Sequence, residues 1–406
     1  MNSSSSRALA ALALALALAQ GAAQAQALRP EIGKPLQAAQ ALVKSGKYRE
    51  ALAEVRKVDA VPGRTAAENL LIERMRIAAA SGAGDVDTAS RSFEVLDASP
   101  GVGAAEKVRM VESIAGSYYR AGQYAKAQQW AQRYFKEGGT SASMRQLMVQ
   151  AQYQSGDFAA VTREVGAEGA AAEKAGQTPS EERLKLFLGS AMRQKDANAT
   201  AVAMEKLVTY YPKKEYWVDL LSRLKAKPSF SDRFSLDTYR LSLATGSMSS
   251  AADFMEMAQL SLQADLPAES KQVVDKGFAA GALGTGPEAQ RHGRLRDLVV
   301  KKVDEDKAGR SGEEAAAQQA KSGDALVNVG FNYVFEGQAK KGVQMIEQGI
   351  AKGSLKRADD ARLRLGIAQL MAGDKTKAQA TFKSVQGTDG AADLARLWSL
   401  YARRSA

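Results

Sequence analysis

The sequence has 406 residues, no cysteine and one histidine, and 56 Lys and Arg against 45 Asp and Glu give it a net charge of +11. Disulfide bonds and thiolate metal sites are excluded, so stability must come from packed apolar surface. The positive balance favours anionic partners such as cell-wall polymers or acidic protein segments.

Residues 1–27 read as a secretory signal peptide: Arg7 gives a positive start, Ala8 to Ala19 is an uninterrupted Ala and Leu run, and small residues flank Gln24 and Gln26. Cleavage is expected after about Ala25 or Ala27, which places the mature chain in the periplasm with a charge near +10. A membrane helix is the competing reading, but twelve apolar residues span about 18 Å of a roughly 30 Å hydrocarbon core. No second such run follows, so no transmembrane segment is expected in the mature chain. No cysteine stands near the cleavage site to carry a lipid.

From there a phrase recurs: Gly, a polar residue, often an aromatic, two more residues, then Ala. It stands at Gly46 to Ala51 and Gly122 to Ala127, with looser copies from Gly84, Gly156 and Gly373. A period in the mid-thirties marks a solenoid of helical hairpins. Val111, Ile114, Ala115 and Tyr118 precede Gly122 at the spacing of one helix face, and Ala127, Ala131 and Tyr134 continue on a second. The glycine suits the left-handed end of the first helix, and the small residues let the helices approach to roughly 8–10 Å. Pro62, Pro100 and Pro212 mark unit exits.

These residues resemble the tetratricopeptide repeat family. The clearest units are 36–62, 108–135, 184–212 and 359–386, where Leu365-Gly366, Leu370, Gly373, Ala378 and Phe382 keep the family's order of residue sizes. Units at 68–100, 142–167 and 323–350 are degenerate, the last with Gly342 in place of the usual alanine. Poorly marked helix pairs are expected near 215–245 and 288–321. The resemblance implies an all-α, right-handed superhelical solenoid of about nine antiparallel helix pairs plus a C-terminal capping helix. The segmentation read from the sequence is an N-terminal array over 28–212, degenerate helical repeats over 213–322, and C-terminal repeats with the cap over 323–406.

Leu207 to Leu220, with Tyr210-Tyr211-Pro212-Lys213 and Tyr216-Trp217, resembles a motif of periplasmic repeat proteins associated with TonB–ExbB–ExbD energy-transducing systems. Met257-Ala258-Gln259-Leu260 and Pro267-Ala268 fit the same pattern. The aromatics are equally suited to filling the space between paired helices.

The catalytic inventory is thin. His292 reads as a lone surface histidine without a nucleophile or orienting acid. Gly281 to Pro287 is glycine-rich but follows no strand, so it reads as a loop. Asp304-Glu305-Asp306 reads as a solvated helix end and Asp359-Asp360 as a helix start, where carboxylates complement the dipole. Ala391 to Arg404, with Leu394, Leu397, Trp398 and Tyr401, reads as the final amphipathic cap.

No catalytic, cofactor-binding or metal-binding residue is therefore expected. The function implied is a non-enzymatic adaptor joining proteins of the cell envelope, with a TonB–ExbB–ExbD component as the partner the narrower resemblance suggests. In the repeat family the groove is lined by first-helix residues away from the packing positions. Here those are Arg109, Glu112 and Tyr119, then Gln146, Gln150 and Tyr153, then Arg183 and Arg193. The charge supports a second reading, a binder of anionic envelope polymer such as exported polysaccharide or peptidoglycan. A nucleic-acid role conflicts with export.

Overall fold

A computed structural model describes residues 28–404; the signal-peptide reading lies outside them. Twenty α-helices and two short 3-10 turns make up the described residues, with no strand among them. Eighteen of the helices form nine hairpins, and two stand alone, Ala289–Gln319 and Ala391–Arg404.

The recurrent glycine does the work its spacing predicts. At Gly122 the backbone takes φ +71°, and the turn closes with Gly122 N–H donating to Tyr119 O at 3.1 Å and Gln123 N–H to Tyr118 O at 3.0 Å. These two bonds satisfy carbonyls that the ended helix would otherwise leave unpaired. The same pair of bonds recurs where no glycine stands. Lys195 (φ 57°) and Asp265 (φ 56°) hold the left-handed position, followed by Asp196 N–H to Ala191 O at 3.0 Å and Leu266 N–H to Ser261 O at 2.9 Å. Both hairpins keep the geometry at the cost of the Cβ strain that glycine avoids.

Two compact units divide the chain. The first comprises the described residues to Gln177 with Gly189–Asp196, and the second comprises Thr178–Leu188 with the residues from Ala197 onward. In the first, helices Pro30–Lys44, Ala66–Ala83, Ala104–Arg120 and Ala142–Ser155 are the first members of successive hairpins, and each touches the next. Their second members bury Leu52, Phe93, Ala127 and Ala131 against this layer. Helix Ala66–Ala83 opens with a capping box: Thr65 and Glu68 satisfy each other's backbone N–H groups.

The second unit is closed by contacts distant in sequence. Helix Ala391–Arg404 packs on helices Ala197–Tyr210 and Ser235–Thr245. Lys227 meets Asp393 at 2.8 Å, Arg396 meets Glu205 at 2.5 Å, and Arg233 meets Asp360 at 3.1 Å and Asp389 at 2.6 Å. The last helix therefore does more than cap an end, because its apolar face completes a core with helices nearly two hundred residues earlier.

Three expectations are corrected. Residues 288–321 hold one 31-residue helix, Ala289–Gln319, in place of a pair. Leu295, Val299 and Val303 give it a buried stripe at four-residue spacing, and its glycines at 293, 309 and 312 fail to break it. His292 is buried, not a surface residue, and its Nδ1 accepts from Gly284 N–H at 3.1 Å, so it ties the glycine-rich loop to the long helix. Asp304-Glu305-Asp306 lies in mid-helix, where Asp306 is enclosed and bonded to Arg310.

Candidate functional site

Arg109, Glu112 and Tyr119 lie on helix Ala104–Arg120, and Gln146, Gln150 and Tyr153 on helix Ala142–Ser155. These neighbouring first helices touch, so the six residues share one layer of the first unit. Arg109, Gln146 and Gln150 are exposed, whereas Glu112, Tyr119 and Tyr153 are half-buried. The cores of both helices are carried by other positions: Met110, Val111, Ile114 and Ala115 in one, Met144, Met148, Val149 and Ala151 in the other.

The two tyrosines are partly committed to packing. Tyr119 meets Tyr124 edge-on at 5.4 Å, and Tyr153 meets Phe158 in the same way at 5.4 Å. Each pair joins the end of a first helix to the start of its second, so the phrase's aromatic fills the hairpin corner. Arg193, in the first unit, sits 5.9 Å from the Phe158 ring and extends this corner with a cation. Arg183 belongs to the second unit and is half-buried, so it is not assembled with the other seven in one unit.

The stretch around Tyr216-Trp217 has a structural role in the second unit. Trp217 is fully buried. Tyr211 donates its hydroxyl to Pro179 O at 2.9 Å, and Tyr216 and Lys213 both bond Glu181. The Lys213 ammonium, then the Tyr216 hydroxyl, hold the Glu181 carboxyl down to about 2.

The second unit also buries an ionic group that sequence reasoning missed. Arg240 grips Glu269 bidentately, Nε and Nη2 each at 2.6 Å, and bonds Asp237 through Nη1 at 2.7 Å. All three are buried, Glu269 to 1% exposure. Burial disfavours the charged guanidinium, but Glu269 and Asp237 outweigh it and the pKa stands above the ordinary value. The Phe331 ring lies 4.8 Å from this guanidinium and 5.7 Å from that of Arg364. Burial, then the Arg240 charge, lowers the pKa of Arg364, whose Nη1 bonds Asn328 at 2.6 Å. Arg240 and Glu269 both stand among polar residues in the sequence, Arg240 near Asp237 and Ser242 and Glu269 before Ser270-Lys271-Gln272, so no local pattern marks their burial.

Beside this group is a cavity of about 400 Å³, lined by Arg240 and Glu269 together with Leu243, Ile367, Trp398 and other residues of the second unit. Among the described residues no group of three or more His, Asp or Glu could hold a metal, and no helix is long and apolar enough to cross a membrane.

No protein-family model matches the chain, and no curated protein matches it. Among solved structures it is similar to yeast Tom70, at 10% identity and TM-score 0.24, over 92% of this chain and 96% of that one. It is also similar to the P58(IPK) TPR domain, at 12% identity and TM-score 0.22, over 92% and 99%. Superpositions this loose add no weight. The fold is a tetratricopeptide-like array of helical hairpins on the strength of its own turns and its stacked first helices.

Proposed function

We propose that the chain is an exported, non-enzymatic scaffold that docks proteins of the cell envelope on the first-helix layer of its first unit. One observation carries this reading: helices Ala104–Arg120 and Ala142–Ser155 are adjacent and set Arg109, Gln146 and Gln150 in solvent on positions the packing does not use. A repeat array holds such residues in fixed relation, and its residues that vary between repeats are free to select a partner. A component of a TonB–ExbB–ExbD system is the partner suggested by the Tyr-Pro-Lys…Tyr-Trp resemblance.

The test places a photo-crosslinking residue at Gln146 or Gln150 in the exporting cell. A small, reproducible set of envelope proteins is expected, reduced by Arg109→Glu with Arg193→Glu. Crosslinks only to abundant bystanders, unchanged by charge reversal, would remove the docking reading. Sedimentation with purified anionic polysaccharide or peptidoglycan, weakening steeply with salt, would replace it with the polymer reading.

A further inference from the structure

We propose that the second unit binds a small amphipathic anion, an acyl or aryl carboxylate, in the cavity beside the Arg240–Glu269 pair. This does not rest on the docking face, which lies in the other unit.

The size fits: about 400 Å³ falls in the range of roughly 300–1,000 Å³ typical of small-molecule sites. The walls are apolar, with Leu243, Val273, Ile367, Leu370 and Trp398 contributed by four different helices. The polar lining groups differ in depth: Arg240 and Glu269 are buried, Gln272, Lys375 and Tyr401 are half-buried, and Lys276 is exposed. Arg240 is already engaged by Glu269 and Asp237, two carboxylates for one guanidinium. A second anion placed there would compete with Glu269 and Asp237 for the same guanidinium. Lys276 and Lys375 stand nearer solvent, and neither has an ion-pair partner among the described residues. Beside them Met371 is 43% exposed, an apolar side chain left uncovered at the rim.

This polarity selects both the ligand and its orientation. An apolar tail would displace water from the walls, and a carboxylate would remain at the rim with the two ammonium groups. A cation would be repelled at the rim, and a neutral alcohol would gain the walls but not the lysines.

Isothermal titration of the full mature chain with decanoate, decanol and decyltrimethylammonium tests this. Decanoate is expected to bind saturably at one site and to perturb the emission of Trp398. Decanol should bind about tenfold more weakly or worse, and Lys276→Ala with Lys375→Ala should bring decanoate to the level of decanol. Both lysines are on the surface, so the double variant should keep its far-UV circular dichroism. Ile367→Trp, which fills the cavity, should remove binding of decanoate and decanol alike. Absence of saturable decanoate binding would overturn the proposal. So would equal affinity for decanol, tighter binding of the ammonium probe, or unchanged affinity in the lysine variant.

Discussion

Gly342 departs from the alanine of the other repeats, and its surroundings explain why. A Cβ there would lie 2.5 Å from Gly330 O, and one at Gly349 would lie 2.6 Å from Gly323 O. Helices Asp324–Phe335 and Ala339–Lys352 thus meet backbone to backbone, closer than an alanine pair allows. The obstructing atoms are main-chain oxygens, which cannot rotate aside. Gly342→Ala gains about 1 kcal/mol of helix propensity, but overpacking against a fixed backbone costs about 1–3 kcal/mol. The variant should be destabilised on balance in chemical denaturation. Gly169, inside helix Phe158–Lys174, is the control: no atom lies within 4 Å of its would-be Cβ. Gly169→Ala should be neutral or stabilising by up to about 1 kcal/mol. Equal effects at the two sites would refute the close-approach account. The turn glycines were legible in the sequence because a left-handed residue is a local demand. Gly330 and Gly342 were not, because their need arises from a facing helix.

At the scale of elements, the 31-residue helix Ala289–Gln319 was the least legible. Its sequence is mostly polar, and its apolar stripe of Leu295, Val299 and Val303 covers only the first half. Ion pairs fasten the remainder. Arg310 reaches Glu336 at 2.8 Å and Glu313 at 3.2 Å as well as Asp306, and Glu314 accepts from Tyr333 at 2.7 Å and Lys341 at 2.9 Å. The contacts to Glu336, Tyr333 and Lys341 join the long helix to the hairpin that follows, and no local pattern announces them. They also create a pH dependence. Burial pushes the Asp306 carboxyl up to about 6, opposed by the Arg310 charge and assisted by Glu313 and Glu336. Its unfolded value is about 3.9. Between these values the folded chain holds more protons at this site, so the stability contributed by Asp306 rises as pH falls from about 6 to about 4. Asp306→Asn lacks that proton uptake. The stability of the native chain minus that of the variant should therefore increase over this interval, as read by denaturant midpoints. A constant difference would show that Asp306 titrates normally.

For the whole molecule, the helical-repeat architecture was readable but the two distinct kinds of core were not. The first unit builds its core from neighbour to neighbour, with Phe93 at 0% exposure held by its own and the adjoining hairpins. Contacts of that order are encoded by the repeat itself. The second unit is completed by pairs such as Lys227–Asp393 and Arg396–Glu205, and by a core in which Phe331 shares a cluster with Leu207 and Trp398. Charged residues at such distances read as surface in any sequence window, which is why the closure and the Arg240 group were missed. The difference predicts two unfolding behaviours. A nearest-neighbour array opens by parts, whereas a closed unit must lose its closure before any part is free. Phe93→Ala and Phe331→Ala should each cost about 3–5 kcal/mol. Hydrogen exchange should show the first loss as a gradient, greatest in Ala66–Arg120 and fading along the first unit. The second should appear as a nearly uniform rise across residues from Ala197 onward, including helix Ala391–Arg404. A local response to Phe331→Ala would mean that the closing helix contributes contacts without cooperativity, and the second unit would then behave as an ordinary array.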